Sequence, residues 1–137
     1  MCGIIAYIGD KDAIPILIEG LKRLEYRGYD SAGISTVDDD EIQILKCEGK
    51  VGDLEKILDD STVRGSLGIG HTRWATHGVP NDLNAHPHVD SSNKISIIHN
   101  GIIENYNILR EALEKEGVTF LTETDTEVLV QLIGRVY

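Results

Sequence analysis

The chain opens Met1-Cys2-Gly3-Ile4-Ile5-Ala6-Tyr7-Ile8-Gly9, and the reading of this stretch decides both the kind of domain and where to look for chemistry. Cys2 to Ile8 is short, apolar and closed by Gly9, which predicts a buried strand. At its head stands a cysteine in position two. Methionine is usually trimmed when the second residue is small, and trimming leaves Cys2 with a thiol and a free α-amino group together. A thiol attacks a carboxamide as thiolate and needs a base. An unperturbed α-amino group, with a pKa of about 7.7–8.0, can take that proton directly or through a water. Nucleophile and base then travel on one residue, as they do in N-terminal threonine hydrolases. The plainer alternative is a small residue in a first strand, and position alone favours that one.

Outward from this strand, Asp12 can cap a helix whose first turn tolerates Pro15. Ile14, Leu17, Ile18, Leu21 and Leu24 recur on one face of it, and it should end near Tyr26, before Gly28. Ala32 to Val37 predicts a strand, Asp38 to Asp40 a charged turn, and the alternation around Ile42 and Ile44 a returning strand, hence a hairpin. Gly49 and Gly52 flank a turn, and Leu54, Ile57 and Leu58 suggest a short helix. Leu67 to Thr72 predicts a strand whose internal Gly68 and Gly70 mark close backbone approach. Ala75 to Asn93 is polar, with Pro80 and Pro87, and reads as a long loop of the kind that carries function. A strand at Ile95 to His99, a helix capped by Asn105 and closed at Gly117, a strand at Val118 to Leu121 and a helix from Thr126 complete the series. Strands mixed with helices around a central hairpin predict an α+β domain rather than a βαβ series. The last helix reaches Tyr137 with no stop signal, so residues 1–137 are expected to be the N-terminal part of a longer domain.

Bulk properties narrow the classes. With 137 residues, 41% hydrophobic, the chain suits one domain or part of one. A net charge of -10 with scattered basic residues argues against nucleic acid and against an anionic membrane surface. No apolar run is long enough to span a bilayer, and the start lacks the basic region of a signal peptide, so the default location is the cytoplasm. The two cysteines, Cys2 and Cys47, are too few for a disulfide framework, and Cys47 reads as an inert buried thiol. The five histidines show no metal-ligand spacing and no Gly-rich phosphate loop is present, so neither metal nor cofactor is expected.

Three further clusters could serve Cys2. His71-Thr72-Arg73-Trp74-Ala75-Thr76-His77-Gly78 lies where a strand gives way to a loop, and Arg73 offers a planar fork that matches a carboxylate. Arg73 could equally sit in a surface ion pair, and Trp74 in the core. His99-Asn100-Gly101 reads first as a turn, but an Asn amide and a Gly N–H can also aim at one developing oxyanion. Thr124-Asp125-Thr126-Glu127 fits an acidic helix start, and Asp125 could in addition pair with a ligand ammonium.

Taken together, Cys2-Gly3-Ile4, His99-Asn100-Gly101 and Thr124-Asp125-Thr126-Glu127 resemble the motifs of the class II glutamine amidotransferases, members of the N-terminal nucleophile hydrolases. Leu24-Glu25-Tyr26-Arg27-Gly28-Tyr29-Asp30-Ser31-Ala32-Gly33 and Gly70 to Gly78 resemble, within that class, the isomerising glutamine–fructose-6-phosphate aminotransferases. Asn84-Ala85-His86-Pro87-His88 and Asn100-Gly101-Ile102-Ile103-Glu104-Asn105 add to the likeness. The resemblance implies a four-layer αββα sandwich, incomplete in a chain of this length, with the rest of the glutaminase domain and the sugar isomerase domains absent. It implies glutamine as substrate, Cys2 as nucleophile, and Asn100 and Gly101 as the oxyanion hole. Arg73 would hold the substrate α-carboxylate and Asp125 its α-amino group, with Thr76 and His77 helping and Trp74 gating the site. Ammonia would serve glucosamine 6-phosphate synthesis from fructose 6-phosphate bound by the absent domains of a homo-oligomer. The isolated piece would then be poorly active. The related purine-synthesis amidotransferases differ at the position of Arg73 to His77, and a non-catalytic module is the rival from another class.

Overall fold

The fold follows from how a single sheet treats its two faces. A computed structural model describes residues 1–137. In chain order they form β1 (Gly3–Ile8), α1 (Ala13–Leu24), a 3-10 turn (Glu25–Arg27), β2 (Ser31–Asp38), β3 (Glu41–Glu48), α2 (Val51–Asp59), β4 (Leu67–Arg73), β5 (His88–Val89), β6 (Ser96–Ile97), α3 (Tyr106–Lys115) and α4 (Asp125–Val136). The main sheet has the order β1-β4-β2-β3, antiparallel throughout. Asp12 caps α1 as expected, its carboxylate accepting from the Ile14 N–H at 3.1 Å. The β2–β3 turn is made by Asp39 and Asp40 at φ 48° and 64°, a left-handed pair that aspartate tolerates.

On one face of the sheet lie α1 and α2. Their apolar stripe meets Ala32, Ile34 and Cys47, and Leu17, Leu21 and Leu54 are fully buried. Each such leucine contributes about 1.5–3 kcal/mol of burial. The glycines of β4 explain the close fit: a Cβ on Gly68 would stand 2.7 Å from Leu17, and one on Gly70 3.0 Å from Ile5 and 3.3 Å from Leu21. Gly68, Gly70 and Thr72 therefore face α1, and Ile69, His71 and Arg73 face the other way.

The opposite face carries the second half of the chain. Lys46 Nζ donates to the carbonyls of Leu83, Ala85 and Pro87 at 2.8, 2.7 and 3.2 Å, pinning the segment before β5 to β3. Burial pushes the Lys46 amine down to about 8. The β5–β6 hairpin and then α3 and α4 lie beyond this segment, so the layers run helices, sheet, small sheet, helices. No helix is long and apolar enough to cross a membrane.

Four local expectations are corrected. β1 is half-exposed rather than buried, since it is an edge strand and Ile4 and Ile8 stand 45% and 80% exposed on its uncovered side. Val118 to Leu121 is not a strand: the Glu127 carboxylate takes the Leu121 and Thr122 N–H groups at 2.8 and 2.6 Å, leaving them nothing to give a ladder. The strand expected over Ile95 to His99 shrinks to Ser96–Ile97, where β5 alone lies beside it. Helix α4 starts at Asp125, one residue early, because Thr124 is the cap and accepts from the Glu127 N–H at 3.2 Å.

Candidate active site

Sheet register brings the nucleophile candidate to its loop. Gly3 pairs with Thr72, so Cys2 falls beside the end of β4. There the Trp74 N–H donates to Cys2 Sγ at 3.1 Å, and Sγ in turn lies 3.7 Å from the Trp74 carbonyl oxygen. The Met1 ammonium donates to the carbonyls of Arg27 and Gly28 at 3.0 and 2.8 Å. While the Met1–Cys2 peptide bond stands, the Cys2 nitrogen is an amide and no base.

Cys2, Arg73, Trp74, Thr76, Gly101 and Asp125 line one cavity of about 220 Å³. Six of the eight residues singled out from sequence thus share a wall. Asn100 and His77 are not among the lining residues, but both contact residues that are. Asn100 Nδ2 donates to the Cys2 carbonyl at 3.3 Å. The His77 carbonyl accepts from Arg73, and its Nδ1 lies 3.9 Å from Asp125 Oδ2.

Arg73 is buried, with Nη2 donating to the carbonyls of His77 and Gly78 and Nη1 left without a protein partner. Burial pushes its pKa down, while Asp30, Cys2 and Asp125 push it up. A desolvated guanidinium with a free nitrogen calls for an anion. Asp125 is also buried, at the first turn of α4, where the helix N-terminus favours a carboxylate. Its Oδ2 accepts from the Ile103 N–H at 2.8 Å, which ties α4 to the turn carrying Asn100 and Gly101. The capping reading of the acidic stretch holds, since Thr124 caps α4, and Asp125 lines the cavity.

Trp74 is 57% exposed and so not a core residue. Its ring stands over Gly28, 3.8 Å from where a Cβ would be. Thr76 is exposed at the cavity mouth. Gly101 leaves room for the His99 ring, whose Nε2 would lie 2.8 Å from a Cβ there.

Two contributors escaped the motif reading. Asp30 clamps the loop after β4: its Oδ2 accepts from the Ala75 N–H at 2.6 Å, and its own N–H donates to the Arg73 carbonyl at 2.8 Å. Only its place inside the Leu24–Gly33 stretch could have drawn attention to it. The second is a column of histidines. His71 stacks on His86 at 4.4 Å, and His86 meets His88 edge-on at 4.6 Å. Burial lowers all three pKa values, His71 to about 4, so the column is neutral near pH 7. Stacked rings do not converge on a point as metal ligands would, and no group of three His, Cys, Asp or Glu does so elsewhere.

Comparison with known proteins gives the family and the fold. The model of the glutamine amidotransferase domain family matches residues 53–136. The chain is 57% identical over all its 137 residues to the isomerizing glutamine–fructose-6-phosphate aminotransferase of Clostridium tetani, of which it covers 22%. It is 58% identical over 134 residues, 97% of the chain, to the enzyme of the same name from Bacteroides thetaiotaomicron, again covering 22%. Among solved structures, it superimposes with a TM-score of 0.82 and 33% identity on the B. subtilis glutamine phosphoribosylpyrophosphate amidotransferase complexed with ADP and GMP, over 98% of this chain and 29% of that one. The layered α+β architecture is thus that of the N-terminal nucleophile amidotransferases, present here in part, and the chain belongs to the glutamine amidotransferase domain family.

Proposed function

We propose that this chain carries the glutamine-hydrolysing site of an isomerising glutamine–fructose-6-phosphate aminotransferase. The observation that carries the reading is the single cavity in which a backbone-bonded thiol, a buried guanidinium with a free nitrogen and a buried carboxylate meet. Glutamine offers the complement: an amide to attack, a carboxylate and an ammonium. Two charges read at a fixed separation select it over plain amides.

Once Met1 is removed, the Cys2 amine takes the thiol proton and Sγ attacks the side-chain amide carbon. Asn100 Nδ2 and the Gly101 N–H hold the oxyanion. The tetrahedral intermediate collapses with protonation of the leaving nitrogen, ammonia departs, and a γ-glutamyl thioester remains on Cys2. Water then attacks the thioester, releasing glutamate and restoring the thiol. Arg73 binds the α-carboxylate and Asp125 the α-ammonium. Thr76 and His77 support the substrate, and exposed Trp74 gates the mouth.

The chain spans 22% of the length of the relatives it matches. Fructose 6-phosphate binding, use of the ammonia for glucosamine 6-phosphate and assembly of a homo-oligomer belong to the longer cytoplasmic protein. Identity of 57% to the C. tetani aminotransferase against 33% to the phosphoribosylpyrophosphate enzyme favours this acceptor over a purine precursor.

The test is covalent capture in the full-length protein. A glutamine analogue with an electrophilic centre in place of the amide should attach at Cys2 in chains lacking Met1 and nowhere else. Attachment at another residue, or equal labelling of chains that retain Met1, would remove Cys2 as the nucleophile.

A further inference from the structure

An oxyanion donor must be aimed before charge develops, yet Asn100 sits exposed in a turn outside any regular element. Two hydrogen bonds aim it. Asn100 Oδ1 lies 2.6 Å from His71 Nε2, and Asn100 Nδ2 donates to the Cys2 carbonyl at 3.3 Å. The reversed carboxamide would set Oδ1 against the Cys2 carbonyl oxygen, two acceptors face to face. Oδ1 therefore accepts from His71, whose proton must be on Nε2.

His71 is everything Asn100 is not. It is fully buried on β4, a strand paired on both sides, opposite Gly33 and Ile4. Its ring is backed by His86, which Lys46 helps to hold through the Ala85 and Pro87 carbonyls. His86 in turn abuts His88, whose Nε2 lies 3.1 Å from Oγ1 of Thr124, the cap of the helix that presents Asp125. The column thus links the turn bearing the oxyanion donor to the helix bearing the ammonium anchor.

We propose that His71 is a positioning residue for glutamine hydrolysis: its Nε2–H fixes the Asn100 carboxamide so that Nδ2, and not Oδ1, is turned toward Cys2. This rests on the reading of Asn100 as an oxyanion donor given above. The histidine acts through Asn100 and transfers no proton itself.

The test uses the full-length protein and four variants: Asn100→Ala, His71→Phe, His71→Gln and the double variant His71→Phe/Asn100→Ala. Phenylalanine keeps the ring and its stacking but loses the donor, whereas glutamine keeps a donor amide at similar reach. His71→Phe should lower kcat for glutamine hydrolysis about 10²-fold, the scale of a lost oxyanion contact, with KM little changed. Alkylation of Cys2 by iodoacetamide should proceed at the wild-type rate. His71→Gln should recover most of kcat, and the double variant should be no slower than Asn100→Ala alone. A slow Asn100→Ala beside a His71→Phe enzyme of wild-type kcat overturns the positioning role and leaves the oxyanion reading standing. Wild-type kcat in Asn100→Ala overturns both. Should His71→Phe fail to fold, nitrogen-15 NMR of labelled histidines in the unaltered protein decides: protonation on Nε2 is expected, and an Nδ1–H tautomer at His71 overturns the proposal.

Discussion

The two faces of the main sheet are built by opposite rules. Toward α1 and α2 the packing is mostly apolar and close, and two glycines in β4 are the means of approach. Toward the second half of the chain the same strands present Arg73 and His71, both buried, and the half-buried Lys46, each needing a partner. One face provides stability through area removed from water. The other uses part of that stability to hold a cation, neutral histidines and a carboxylate in a small volume, the arrangement in which charges act strongly on a bound substrate. The lesson is that adjacent residues of β4 serve different ends, so neighbouring substitutions should fail in different ways.

The sharpest break is at the cavity. Cys2→Ala in the full-length protein should cut glutamine hydrolysis by at least ~10⁴-fold, with an unchanged circular dichroism spectrum. Ammonia release near the wild-type rate would remove the thiol from the chemistry. On the helical face, Leu21→Ala should cost about 2–5 kcal/mol in denaturant unfolding and leave the glutamine KM of the folded enzyme alone. A changed KM would mean the two faces are not separable.

Acid should attack the second face first. His71, His86 and His88 are neutral in the fold because burial lowers their pKa values from an ordinary 6.5. The unfolded chain binds protons that the folded one refuses, so stability is complete above about pH 6.5 and falls as the pH drops. For His71, lowered to about 4, the loss reaches about 3 kcal/mol by pH 4. Melts from pH 7.5 to 4.5, with amide exchange read separately over residues 84–100 and over α1, would check this. Stability flat across that range would contradict the neutral column. Smaller effects are expected from Arg73→Ala and Asp125→Ala, each raising the glutamine KM about 10–100-fold through a lost charged contact. Loss of turnover with affinity intact would reverse their roles.

How much of this was legible in the sequence differs by face. The 3.6-residue spacing of Leu17, Ile18 and Leu21 predicted α1 and its buried side, and the glycines of β4 predicted close approach. Those signals are local. The second face is held by contacts between distant residues, such as Glu127 taking two N–H groups before α4 or Lys46 gathering three carbonyls about forty positions on. No periodicity announces them, which is why a strand was expected over Val118 to Leu121. The cavity residues were nameable through motif likeness, while Asp30 and the His71–Asn100 bond needed the sheet register to bring them in. Trp74 was undecided between core and mouth, and only the surface it leaves open removes it from the core.

The alternation along β4 carries a last consequence, for quality control. A slip of this strand by one residue would turn every side chain to the other face. Arg73 and His71 would then be driven against Leu17 and Leu21, while glycines faced the cavity. An unpaired cation forced into that core costs several kcal/mol. A misregistered sheet therefore cannot persist as a folded but inactive decoy: the residues that equip the cavity also proofread the pairing of the strand that bears them.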